Sequence, residues 1–370
     1  MFSESSSVGG GQTRLKLNSI NHRLLRRIAH IGFALKHRRS ANAPTPSEIE
    51  SFRKFFQPDE SDESSLGRGR SKSDSPDDFV LTRILGNDLV PRHQLGQTRQ
   101  NLQFILENEA SFPNCEKRWV LNRIVNRTEE RTIIKLLESW GQPFIHLLFC
   151  EDEYREVCKE SPAPKYRDDN SVKGKMAAYR LRNNYVMNNN GARNAALRDG
   201  RTRAKWVLPW DGNCFLTKEA WSSIRHAATT SEFIRHIFVP MTRCSNNDDV
   251  LDPKFVPRPT EEPQVVFRSD SAVEFNPAFP YGRRPKVELF WHLGFPGPWD
   301  LWRDSKWDPP RRPLSEEAYR YATAGWVARI QSGRPELEQQ SKQSFLNRGK
   351  NRAEAIFAMI DELDSRLGVK

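Results

Sequence analysis

Apolar and polar positions follow two distinct rhythms along this chain. From Phe79 onward, short continuous apolar runs alternate with stretches whose apolar residues recur every three or four positions. The runs Phe79–Gly86 (FVLTRILG), Arg118–Val125 (RWVLNRIV), Phe144–Phe149 (FIHLLF) and Lys205–Pro209 (KWVLP) read as strands buried on both faces. Leu95–Asn108, Glu129–Trp140, Lys173–Arg203 and Lys218–Thr229 read as helices, the third with a break near Asn188–Gly191. Gly141 stands where a helix C-terminus favours glycine. Such alternation predicts an α/β domain around a mostly parallel sheet flanked by helices. Past Phe233 the rhythm loosens. FIRHIFVPM and QVVFRS read as strands of a mixed sheet, and the Pro- and Trp-rich Gly294–Pro313 as irregular chain. Ser315–Ser332 and Arg352–Leu367 read as closing helices.

Residues 1–77 have neither rhythm. Their Ser, Gly and charged composition predicts a disordered basic extension. One island breaks it, from Leu17 to Arg39. Leu24, Leu25, Ile28, Ile31 and Leu35 share a helical face there, with Arg and His on the other. That helix suits a membrane surface, a partner or the main domain itself. The expected organisation is therefore an extension over 1–77, a main domain over 78–313, and C-terminal helices over 314–370 packed on it.

Composition narrows the function classes. The chain has 370 residues, with 58 basic and 47 acidic side chains and a formal charge of +11. No apolar stretch is long enough to span a bilayer. Five cysteines form no CxxC pair, which argues against a zinc ribbon, a thioredoxin-type centre or a disulfide scaffold. Neither signal peptide nor transmembrane helix is visible, so the expected location is cytoplasmic, with peripheral membrane contact through residues 17–39. HExxH, P-loop and nucleophile-elbow patterns are absent.

Chemistry concentrates in GARNAALRDGRTRAKWVLPWDGNCF, residues 191–215. A helix feeds an apolar strand that ends in Asp211-Gly212-Asn213. Ligands of open α/β sheets bind beyond the carboxyl ends of strands. Two short oxygen donors at i and i+2 suit Mn²⁺ or Mg²⁺. The same triplet also makes an Asx turn.

In context, NNNGARNAALRDGRTRAKWVLPWDGNCF resembles the family 2 glycosyltransferases and relatives of GT-A type. In these an "ARN" helix precedes a hydrophobic strand ending in a metal motif. The likeness runs from about Leu81 to Leu301. It implies a GT-A-type, Rossmann-like sheet and a nucleotide-sugar donor bound by Asn87, Asp88, Asp152, Arg193, Asn194 and Asp211. It implies a Mn²⁺ or Mg²⁺ ion on Asp211 and Asn213, and Glu288 as the base that deprotonates a glycan, polysaccharide or lipid-linked acceptor. The metal motif here is D-G-N rather than D-x-D. Lys286 stands where the family's base aspartate is expected, and Glu288 matches the second acidic position. Two other readings are a catalytically inactive nucleotide-sugar-binding homologue and a basic nucleic-acid-binding protein. The second lacks any RRM, helix-turn-helix or zinc-finger pattern. Trp291, Trp299, Trp302 and Trp307 read either as a sugar-stacking platform or as aromatic anchors of a packed loop. His93 follows the first strand closely enough to face the site.

Overall fold

The computed structural model describes residues 78–160, 172–230, 232–283, 285–297, 308–331 and 342–369. The expectations for 1–77, including the Leu17–Arg39 helix, and for Trp299, Trp302 and Trp307 lie outside the described residues.

The first half is a parallel α/β winding. Strand β1 (Phe79–Leu85) leads to helix α1 (Gln97–Asn108), β2 (Cys115–Asn122), α2 (Arg127–Ser139), β3 (Phe144–Leu147) and α3 (Glu151–Lys159). Three helices follow, α4 (Val172–Ala178), α5 (Arg180–Met187) and α6 (Asn189–Arg201), then β4 (Trp206–Asp211). Asn188, at φ 41°, marks the expected break between the last two helices. The second half adds β5 (Cys214–Phe215), α7 (Lys218–Thr230), β6 (His236–Arg243), β7 (Glu261–Arg268) and the short α8 (Val287–His292). It ends with β8 (Tyr321–Thr323), β9 (Val327–Arg329) and the long α9 (Lys342–Leu367).

The strands join in one mixed sheet in the order β3-β2-β1-β4-β7-β6-β9-β5, with β8 also on β6. β1 is parallel to β2 and β4, and β7 is antiparallel to both β4 and β6. The expected α/β fold, a mixed sheet flanked by helices, is the fold observed.

Period-2 alternation sends side chains to opposite faces of the sheet. In β4, Trp206, Leu208 and Trp210 pack with Trp221 and Ile224 of α7, while Val207 packs with Leu197 of α6 and Phe290 of α8. α1 and α2 cover β2 through Leu102, Ile105, Ile133 and Leu137. α9 lays Ala355, Ile356, Ile360 and Leu363 against Tyr154, Val157 and Val186.

One expectation fails. Much of Ser315–Ser332 is not helical: it supplies β8 and β9, both parallel to β6. Tyr319 and Gly325 take positive φ of 68° and 60°, which breaks a helix. A Cβ at Gly325 would also stand 2.6 Å from the Ala220 carbonyl oxygen.

A buried ion cluster ties the sheet to the loop before β2. The Arg83 guanidinium pairs with Glu109 and donates from Nε to the Cys214 carbonyl at 2.7 Å. Lys117 Nζ lies 2.8 Å from the same carboxylate, and Leu216 N–H donates to it at 2.8 Å. Removing one member of a buried pair strands the other charge. Glu109→Gln should therefore destabilise the protein by about 3–5 kcal/mol. Urea unfolding measures this, and a loss under ~1 kcal/mol would show the pair to be energetically idle.

Candidate functional site

A cavity of about 710 Å³ opens beyond the carboxyl ends of β1 and β4. Three features make room for it. The β4–β7 ladder pairs Trp206 with Arg268 and Val207 with Phe267, and goes no further. Pro209, which has no N–H to give, falls just past that point. Gly212 lets the chain turn against β1: a Cβ there would sit 2.4 Å from the Ile84 carbonyl oxygen.

Asp211, the last residue of β4, lines this cavity and is held from three sides. Arg193 Nη2, from α6, donates to Oδ1 at 2.5 Å. Gln264 Nε2, from β7, donates to Oδ2 at 2.9 Å, and Lys286 Nζ lies 3.2 Å from the same oxygen. Burial alone would raise the Asp211 pKa. The charges of Lys286 and Arg193, with the hydrogen bonds from Arg193 and Gln264, win and hold it well below the usual carboxylate range.

The loop that delivers Lys286 is sewn to α5 and α6 by asparagine amides. Asn183 donates to the Tyr281 carbonyl at 3.0 Å and Asn184 to that of Pro277 at 2.8 Å. Asn190 donates to the carbonyls of Asn276 (2.7 Å) and Pro285 (2.8 Å), and its Oδ1 accepts from Arg193 at 2.8 Å. Asn194 closes a two-way amide pair with Phe275, both bonds 2.9 Å. Arg193 thus enters the site while Asn194 builds its wall. The ARN element serves both purposes.

The remaining expected residues divide. Asn87 lines the cavity, but its amide pins the chain after β2, donating to the Arg123 carbonyl and accepting from Val125 N–H, both at 2.8 Å. Asn213 lines it too, and donates to the Ile330 carbonyl at 3.3 Å. Asp88 organises the start of α1, accepting from Gly96 N–H at 2.7 Å and Thr98 N–H at 2.9 Å. Its pKa is raised, because burial outweighs those bonds. Asp152 is 91 % exposed on α3 and pairs with Arg155. It is not among the residues that line the cavity.

Glu288 stands apart from the cavity as well. It is fully buried on α8 and gripped by Arg312, whose Nε and Nη2 donate at 2.8 and 2.7 Å and whose backbone N–H donates at 3.1 Å. It forms an internal ion pair and is not among the residues that line the cavity. Trp291 is buried, with the Arg311 guanidinium 4.7 Å over its ring, so it anchors α8 and offers no open sugar face.

Several lining residues carry no motif. Arg243 holds Glu261 bidentately at 2.9 and 3.0 Å, and Arg329 reaches the same carboxylate at 3.1 Å. Tyr281, Glu262 and Arg352 also line the cavity. Arg352 comes from α9, and its guanidinium lies 5.4 Å over the Tyr281 ring. Burial would raise the Tyr281 pKa, but Arg352, Arg92 and Arg329 bring it below its ordinary value. His93, expected to face the site, does line it. Burial, then Arg92, Arg329 and Arg352, push its pKa down to about 3. Among the described residues, five cationic side chains and three carboxylates line the cavity.

The donor set does not fit a resident Mn²⁺ or Mg²⁺ ion. Both Asp211 oxygens already accept from cations or an amide, and a divalent ion wants several free oxygens. Among the described residues no group of three His, Cys, Asp or Glu could hold a metal.

No protein-family model and no curated protein matches this sequence. Among solved structures the chain is similar to S. aureus TarS, at a TM-score of 0.34 and 12 % identity, over 70 % of this chain and 38 % of that one. The chain thus spans well under half the length of TarS. No helix among the described residues is long and apolar enough to cross a membrane.

His93 offers a direct probe of the cavity's field. Below its ordinary pKa the unfolded chain takes up a proton that folded His93 refuses, so acid costs stability as pH falls from about 6.5 toward 3. Histidine NMR should find His93 neutral down to pH 5 in the free protein. Its pKa should rise when an anion enters beside the three arginines. A free-protein value near 6.5 would contradict the burial and charge placed around it.

Proposed function

We propose that this chain is a glycosyltransferase that binds a nucleotide-sugar donor in the Asp211 cavity and transfers the sugar to a carbohydrate or lipid-linked acceptor. The observation that carries the reading is the cavity itself. It lies beyond the carboxyl ends of parallel strands, it has the volume of a small-molecule site, and cations outnumber carboxylates in its wall. The ARN helix feeding a strand that ends in Asp-Gly-Asn supports it from the sequence side.

Departure of a nucleoside diphosphate builds negative charge on the leaving oxygens. Lys286, Arg329 and Arg352 are placed in the same cavity to stabilise that charge, and burial strengthens the effect. Asp211 keeps Lys286 and Arg193 fixed, so little reorganisation is needed as charge develops. The acceptor hydroxyl needs a carboxylate base. With Glu288 tied to Arg312, and Glu261 to Arg243 and Arg329, Glu262 at the start of β7 is the lining carboxylate that takes over the candidacy.

A second reading has its own support. The grip of Arg312 on Glu288, and of two cations on Asp211, suits a homologue that binds the nucleotide sugar without turning it over. A thermal-shift panel of UDP, GDP, CDP and their sugars tests what both share. One nucleotide class should raise Tm by several degrees, and Asp211→Asn should reduce the shift. No shift with any nucleotide would overturn both readings. Hydrolysis or transfer of the sugar nucleotide that binds separates enzyme from inactive homologue.

A further inference from the structure

We propose that this cavity binds a diphosphate group directly, without a divalent cation, because Lys286 and Arg193 occupy the position on Asp211 that a metal would take. The inference rests on the donor-site reading above and deepens it: the ligand's charge is met by fixed side-chain cations.

Asp211 is the one carboxylate at the end of β4, and its oxygens are spoken for. Oδ1 accepts from Arg193 at 2.5 Å, and Oδ2 accepts from Gln264 at 2.9 Å and faces the Lys286 ammonium at 3.2 Å. A dication bound to Oδ2 would stand against that ammonium. Lys286 has little room to yield. Its side chain is 6 % exposed, and its ammonium also reaches the Glu262 carbonyl at 3.4 Å. Arg193 is 4 % exposed and is oriented by Asn190, so it too is fixed. Asn213, the other expected ligand, is oriented by Ile330: its Nδ2 donates to the Ile330 carbonyl and its backbone carbonyl accepts from Ile330 N–H, which leaves a neutral amide oxygen as its one side-chain donor to a metal. A metal would have to displace an ion pair or the Gln264 hydrogen bond to gain one carboxylate.

The same wall is built for an anion. Arg352 lines the cavity from α9 and keeps a buried Nε with no hydrogen-bond partner among the described residues. Arg329 lines it from β9. The direction of the Tyr281 and His93 shifts agrees, since both record positive charge from Arg92, Arg329 and Arg352. A diphosphate accepts charge-assisted hydrogen bonds from such groups with no metal between.

The test is calorimetric titration of the full chain with inorganic pyrophosphate and, separately, with UDP, each in EDTA and in free Mn²⁺. Pyrophosphate should bind in EDTA with a Kd within about threefold of its value in Mn²⁺. Lys286→Met and, independently, Arg352→Gln should each weaken it by about tenfold or more. Arg352 comes from α9, on a different element from Lys286, so Arg352→Gln keeps the test decisive even if Lys286→Met fails to fold. Binding that appears only with Mn²⁺, or that neither substitution weakens, overturns the inference. If UDP then binds with Mn²⁺, the donor-site reading survives alone. If neither ligand binds under either condition, the inference fails and the UDP-based form of that reading fails with it.

Discussion

One carboxylate sets the register of the functional half of this molecule. Asp211 accepts from Arg193 of α6 and Gln264 of β7, and it pairs with Lys286 just before α8. Burying such a group alone would be costly, and burying two cations without it would be worse. Together they make a cluster in which each charge justifies the others. Three elements far apart in sequence must arrive in the right place for it to close. Once closed, it presents fixed positive charge to a cavity at the end of β4. Structure and proposed chemistry therefore share a cause, since the groups that satisfy Asp211 are the groups that would meet an anion.

Fixing Lys286 requires fixing a loop with no ladder of its own. The carbonyls of Phe275, Asn276, Pro277, Tyr281 and Pro285 are held by amides of Asn183, Asn184, Asn190 and Asn194 rather than by strand pairing. Each such bond is worth about 1 kcal/mol net, and more is lost when a buried carbonyl is stranded. The run of asparagines in NNYVMNNNGARN is thus a clamp. It explains why a polar-rich stretch is helical and largely buried. The helices supply the spacing, and the loop supplies the carbonyls.

Much of the fold was legible because it depends on local pattern. The apolar runs of β1 and β4 and the periodicity of α1, α2 and α7 appear where the sequence places them, within two residues at most ends. β2 instead starts three residues earlier than expected, with its polar Cys115–Lys117 in the ladder. Much of Ser315–Ser332 misled because its apolar spacing also suits strands, and pairing with β6 decided the matter. The site was legible only in part. Asp211, Arg193 and Asn213 lie in one recognisable segment and do line the cavity, as do Asn87 and His93. Asp88 and Asn194 use the same residue types to build the walls. Glu288 pairs with Arg312, a partner 24 residues away that no local pattern reveals. Arg329 and Arg352 carry no motif, since only the return of β9 and the docking of α9 bring them to the cavity.

The most direct measurement of the central claim is a crystal structure of the protein grown with a nucleoside diphosphate in EDTA. The expected result is a diphosphate in the Asp211 cavity, its oxygens within hydrogen-bond distance of Lys286 and of Arg329 or Arg352. The Asp211–Lys286 pair should stay intact, with no metal density between. A nucleotide bound elsewhere, or an Asp211 freed from Lys286 to hold a cation, would contradict it.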